Sequence, residues 1–83
     1  MRSNSNLSPI NRGSFQVIVA NVAARTTSLI VEATDEGVEV GSREVKRLTK
    51  KALGEFGLSM DDGKRSQAIF YSALDTVFYG GVI

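Results

Sequence analysis

Apolar and polar positions follow two different rhythms along this chain. In the first half Phe15, Val17 and Val19 alternate with Gln16, Ile18 and Ala20. A period of two with β-branched enrichment predicts a strand. A second strand is expected at Thr27 to Ala33, with Leu29, Val31 and Ala33 on one face and Ser28, Ile30 and Glu32 on the other. Thr34-Asp35-Glu36-Gly37 reads as a turn of acidic formers closing on a left-handed glycine. Val38-Glu39-Val40 then continues as a short third strand that Gly41 ends. A sheet of this kind packs one face and wets the other, yet Ile18 and Ile30 lie opposite the main apolar set, so its second face is not wholly polar.

The second half changes to a spacing of three and four. Val45, Leu48, Ala52 and Phe56 form one stripe from Arg43 to Phe56, with Leu53 beside it, which predicts an amphipathic helix. Ser42 is the expected cap, Glu44 sits favourably in the first turn, and Gly57 is placed for a left-handed stop. Leu58 to Gly63 reads as a loop. A last helix is expected from Lys64 or Arg65 to Tyr79, halted by Gly80-Gly81. Ile69, Ala73 and Val77 form its stripe, and Phe70, Leu74, Phe78 and Tyr71 widen it to about half the circumference, beyond the roughly 100° a one-sided surface helix needs. The expected fold is therefore α+β: a three-stranded antiparallel β-meander followed by two α-helices packed on one face, in the order β-β-β-α-α.

The Ser- and Asn-rich stretch 1–13, which holds the only proline (Pro9), is expected to be a flexible leader, with 14–83 a single small domain. With 83 residues, 42% hydrophobic and 23% charged, the chain has ordinary globular composition, but its core must be efficient or shared with a partner. No uninterrupted apolar run approaches the roughly 18 residues of a membrane span, and the polar start is unlike a signal peptide. A cytoplasmic domain without membrane contact is expected.

The chain contains neither Cys nor His. Disulfides, thiol catalysis, His- or Cys-based zinc sites and Ser-His-Asp chemistry are thereby excluded. Asp35-Glu36 and Asp61-Asp62 are the carboxylate pairs close in sequence, and both adjoin glycine, where acids serve as turn formers. Gly57 to Ser66 has five residues between its glycines and Arg65 after Lys64, so it fails the pattern of a phosphate-binding loop. No enzymatic activity, cofactor or metal is expected.

Binding is a better prospect. Arg43, Lys46, Arg47, Lys50 and Lys51 fall opposite the apolar stripe of the first predicted helix, offset by Glu44 and Glu55. Such an arc either keeps a helix solvated or meets an acidic partner, nucleic acid included. Tyr71 and Tyr79 lie at the margins of the last helix's apolar arc, where amphipathic aromatics suit an interface. The expected function is a non-catalytic protein-binding module, an accessory or inhibitory factor on a larger machine, that self-associates as a homodimer through its last helix. Tyr71, Phe78 and Tyr79 would supply apolar contact, and Lys46, Arg47, Lys50 and Lys51 would meet an acidic protein partner.

Val38-Glu39-Val40, Phe56-Gly57-Leu58-Ser59, Arg65-Ser66-Gln67-Ala68-Ile69 and Ala73-Leu74 resemble the ribbon–helix–helix family of dimeric DNA-binding regulators. That resemblance implies a strand ribbon in the major groove, intertwined second helices, and Glu39 on or near the reading side. It supplies the competing expectation, a dimeric transcriptional regulator.

Overall fold

The computed structural model describes residues 14–80. The leader expected at 1–13 and the apolar pair Val82 and Ile83 lie outside the described residues. The α+β expectation is overturned: the order is helix α1 (Phe15–Asp35), helix α2 (Ser42–Glu55), a 3₁₀ turn (Met60–Asp62) and helix α3 (Lys64–Tyr79), with no strand among the described residues.

The two predicted strands and the segment between them are one helix. Val17 is 53% exposed, whereas Ile18 is 1% exposed, so neighbours that an alternating strand would also separate are here the outer and inner sides of a helix. The inner stripe is Ile18, Val22, Thr26, Leu29 and Ile30, with Val19 and Ala23 beside it, a spacing of three and four. Nine of the 21 residues are Val, Ile or Thr, which lowers intrinsic helix propensity. Burial of the stripe offsets that cost. The Thr26 hydroxyl donates to the Val22 carbonyl at 2.8 Å and the Thr27 hydroxyl to the Ala23 carbonyl at 3.0 Å, so the buried threonine leaves no polar atom unsatisfied. Ser14 caps the start, its Oγ accepting the Val17 N–H at 3.1 Å.

The turn formers after α1 act as foreseen, but on a helix. Gly37, at φ +84°, donates its N–H to Thr34, and the Val38 N–H reaches the Ala33 carbonyl. Gly57, at φ +80°, repeats the arrangement: its N–H meets Gly54 and that of Leu58 meets Leu53. These are two Schellman closures built from the same parts. The predicted third strand, Val38 to Val40, is a linker without regular structure.

Helix α2 begins one residue earlier than predicted, with Gly41 as its cap and Glu44 accepting the Gly41 N–H at 3.1 Å. Its buried residues are Val45, Leu48, Thr49, Ala52 and Leu53. Ser59 and Asp62 then close the 3₁₀ turn reciprocally, Asp62 accepting the Ser59 N–H at 2.8 Å and Ser59 Oγ accepting from Asp61 at 3.1 Å. The Asp62 carboxylate thus serves the turn, while Asp61 contributes its backbone N–H. Gln67 donates to the Met60 carbonyl at 3.0 Å and ties the turn to α3.

One core joins all three helices. Arg25 of α1 meets Glu55 near the end of α2, while Glu32 and Glu36 lie across from Arg47 and Lys51. Rising numbers on α1 therefore face falling numbers on α2, and the pair is antiparallel. The start of α1 lies beside Ser72 and Thr76 of α3, so α3 also runs against α1.

Candidate interaction surface

The core leaves α2 with a strongly charged exterior. Val45, Leu48, Thr49, Ala52 and Leu53 point inward. At 100° per residue, Arg43, Lys46, Arg47, Lys50 and Lys51 then occupy the opposite side, and all five are exposed. None of them forms an ion pair with a described residue; the ion pairs found belong to Arg25, with Glu55 at 2.6 Å and Glu32 at 3.9 Å. Of the two acids on α2, Glu44 is spent on its cap and Glu55 on Arg25. The ridge is therefore only partly offset from within its own helix, through the charge of Glu55 felt by Lys51.

Arg25 grips Glu55 with two hydrogen bonds, Nε to Oε1 at 2.6 Å and Nη2 to Oε2 at 3.3 Å. That hydrogen bonding holds the Glu55 carboxyl below its ordinary range, with the charges of Arg25 and Lys51 adding to it against a desolvation effect of opposite sign. The Glu55 hydrogen bond, followed by its charge, raises Arg25 in turn. The pair staples α1 to α2 from outside the core.

The two flanks of the ridge differ. On one, Arg47 and Lys51 border a groove of about 250 Å³ against α1, whose opposite bank carries Glu32 and Glu36 and whose floor includes Leu29, Leu48 and Val38. On the other, Lys50 Nζ lies 6.0 Å from the centre of the Phe70 ring, at the outer range of a cation–π contact. Phe70 meets Tyr71 edge-on, 5.0 Å between ring centres. Of the aromatic candidates, Tyr71, 58% exposed, thus adjoins the basic ridge through Phe70. Tyr79 is 88% exposed at the far end of α3, and Phe78 is half-buried against the core. The structure sets Lys50 against Phe70, not against Tyr71, Phe78 or Tyr79, and does not bring the aromatic set expected to act as one together.

Most of the surplus expected around α3 is absorbed within the chain, Tyr71 excepted. Ile69, Phe70, Ala73, Leu74 and Val77 are all buried, covered by α1, α2 and the 3₁₀ turn. Exposed apolar surface also lies on α1, at Phe15, Val17 and Val31, besides Val38 of the linker and Tyr71 and Tyr79 of α3. A groove of about 320 Å³ between Phe15, Val19 and Ala20 of α1 and Ser72 and Thr76 of α3 continues it. With its 21 residues and a mean hydropathy of 1.2 over an 18-residue window, α1 is long and apolar enough by length and composition to cross a membrane, although a third of that window is buried in the bundle. Reading α1 as broken strands hid this property.

Among the described residues no group of three or more acidic side chains is placed to hold a metal ion. No known protein family, curated protein or solved structure matches this chain. Val38 to Val40, one of the four segments that resemble ribbon–helix–helix regulators, has no regular structure in the single chain.

Proposed function

We propose that this chain is a non-catalytic binding module that docks an acidic protein segment on the outward face of α2. The observation that carries the reading is the ridge of five exposed cations, Arg43, Lys46, Arg47, Lys50 and Lys51, none with an ion-pair partner among the described residues. Eight residues separate its ends, about 12 Å at 1.5 Å per residue. Carboxylates frame it on both sides, Glu32 and Glu36 across one groove and Asp61 beside Lys50 in another. A duplex presents one phosphate charge per roughly 1.7 Å and extends past the ridge onto those acids. A short acidic helix ends before it meets them. Tyr71 at the margin gives such a segment an apolar edge to lie against.

Fluorescence anisotropy tests the reading with a labelled Glu-rich helical peptide and a labelled DNA duplex. The peptide is expected to bind at low salt and to weaken as salt screens the contact. Lys46→Glu, Arg47→Glu, Lys50→Glu and Lys51→Glu together are expected to weaken it by about tenfold or more, a loss of roughly 1.4 kcal/mol. Preference for the duplex, abolished by the same substitutions, would make nucleic acid the partner and overturn the proposal.

A further inference from the structure

The groove between α1 and α2 carries opposite charge on its two banks. Glu32 and Glu36 stand on the α1 side, Arg47 and Lys51 on the α2 side, and Leu48 and Val38 lie between them. The banks do not pair with each other: no ion pair within 4.0 Å crosses the groove, and among the described residues Glu32 pairs with Arg25 alone, at 3.9 Å. Val38 leaves an apolar side chain 43% exposed at this place.

A partner that satisfies both banks must carry the same two charges in mirrored order at the same separation. A second copy of this chain does so by construction. A two-fold axis running along the groove sets the acidic bank of each copy on the basic bank of the other, with the apolar floors facing. An axis across the groove would set like on like. We infer that this groove is a self-complementary homodimer interface, in which Glu32 and Glu36 of one copy meet Arg47 and Lys51 of the other. The inference rests on the reading of α2 as a surface for acidic partners, and it names one such partner. It also places self-association on this groove rather than on α3, where Ile69, Phe70, Ala73, Leu74 and Val77 are already buried. The interface is small and rimmed by charge, so the dimer belongs to the weak, salt-sensitive class.

Sedimentation equilibrium of the full chain tests it. At low salt the mass is expected to rise from 8.9 kDa towards twice that value with concentration, and to return to the monomer as salt is added. Glu32→Lys with Glu36→Lys, and separately Arg47→Glu with Lys51→Glu, are expected to remain monomeric where the unaltered chain dimerises. An equimolar mixture of the two variants restores the dimer, because each carries the charge the other lacks. The single substitutions Glu36→Lys and Arg47→Glu repeat the test if a double variant folds poorly. An unaltered chain that stays monomeric at all concentrations and salts, or variants that never rescue each other, overturns the dimer. The Glu-rich peptide separates the two readings: binding by a monomeric unaltered chain leaves the ridge intact while the dimer falls.

Discussion

Helices α1 and α2 share one core but turn opposite kinds of surface to the outside. The outward side of α2 is Arg43, Lys46, Arg47, Lys50 and Lys51; that of α1 is Val17, Ala20, Asn21, Ala24, Ser28 and Val31, with charge only at its C-terminal end, at Glu32 and Asp35. Inward they are alike, Ile18, Val22 and Leu29 on one and Val45, Leu48 and Ala52 on the other. The difference teaches where helical periodicity can be seen. A 3.6-residue rhythm is visible when the outer face contrasts with the inner one, as in α2. In α1 both faces are apolar or small, so the rhythm disappears and the β-branched residues that remain look like strand.

The comparison can be broken most directly in α1. Ile18→Ala removes a buried side chain and is expected to cost about 2–5 kcal/mol, whereas Val17→Ala, one residue away on the exposed side, should stay within roughly 0.5 kcal/mol. Urea denaturation of both variants checks this. Equal losses would mean that both side chains are packed, as no single helix against this core allows.

The outward side of α2 should tolerate change as α1's inner side does not. Gly54 lies within the helix, its φ is not in the left-handed region, and a Cβ there would meet nothing within 4 Å. Gly54→Ala is therefore expected to stabilise the fold by roughly 0.5 kcal/mol through the unfolded chain's lost freedom. Thermal unfolding reads the effect as a small rise in Tm, and a fall would place unseen packing over this turn.

The smallest effect concerns the staple between the two helices. Glu55 is held below its ordinary carboxylate range by Arg25, so its contribution is fully present above the unfolded value and fades as pH falls through the lowered folded one. Because the pair is exposed, the contribution is modest. Glu55→Gln should lower Tm slightly at neutral pH, with the gap to the unaltered chain closing in acid. A gap that stays constant with pH would remove the ionised carboxylate from the account.

Much of the second half was legible. The α2 stripe, its basic exterior, the left-handed stop at Gly57 and the bounds of α3 all follow from local pattern and turn chemistry. Gly37 was legible only in part. Acidic formers followed by a left-handed glycine close a hairpin or a helix equally well, and the choice depends on what precedes them. The candidate residues fared similarly. The charges on Lys46, Arg47, Lys50 and Lys51 were visible as one arc, but their division between a groove facing Glu32 and a ring contact with Phe70 depends on where α1 and α3 lie.

The sequence by itself determined the stops at Gly57 and after Tyr79, the amphipathic α2, the cations that must point away from its stripe, and the absence of thiol and imidazole chemistry. Tertiary structure decided that residues 15–35 are one helix, because the inner stripe of α1 gains its stability in the core it shares with the buried residues of α2 and α3. It also decided that most of α3's broad apolar arc, all but Tyr71 and part of Phe78, is consumed internally. Burial against distant residues is a property of the assembled bundle, and for β-branched segments it outweighs local preference.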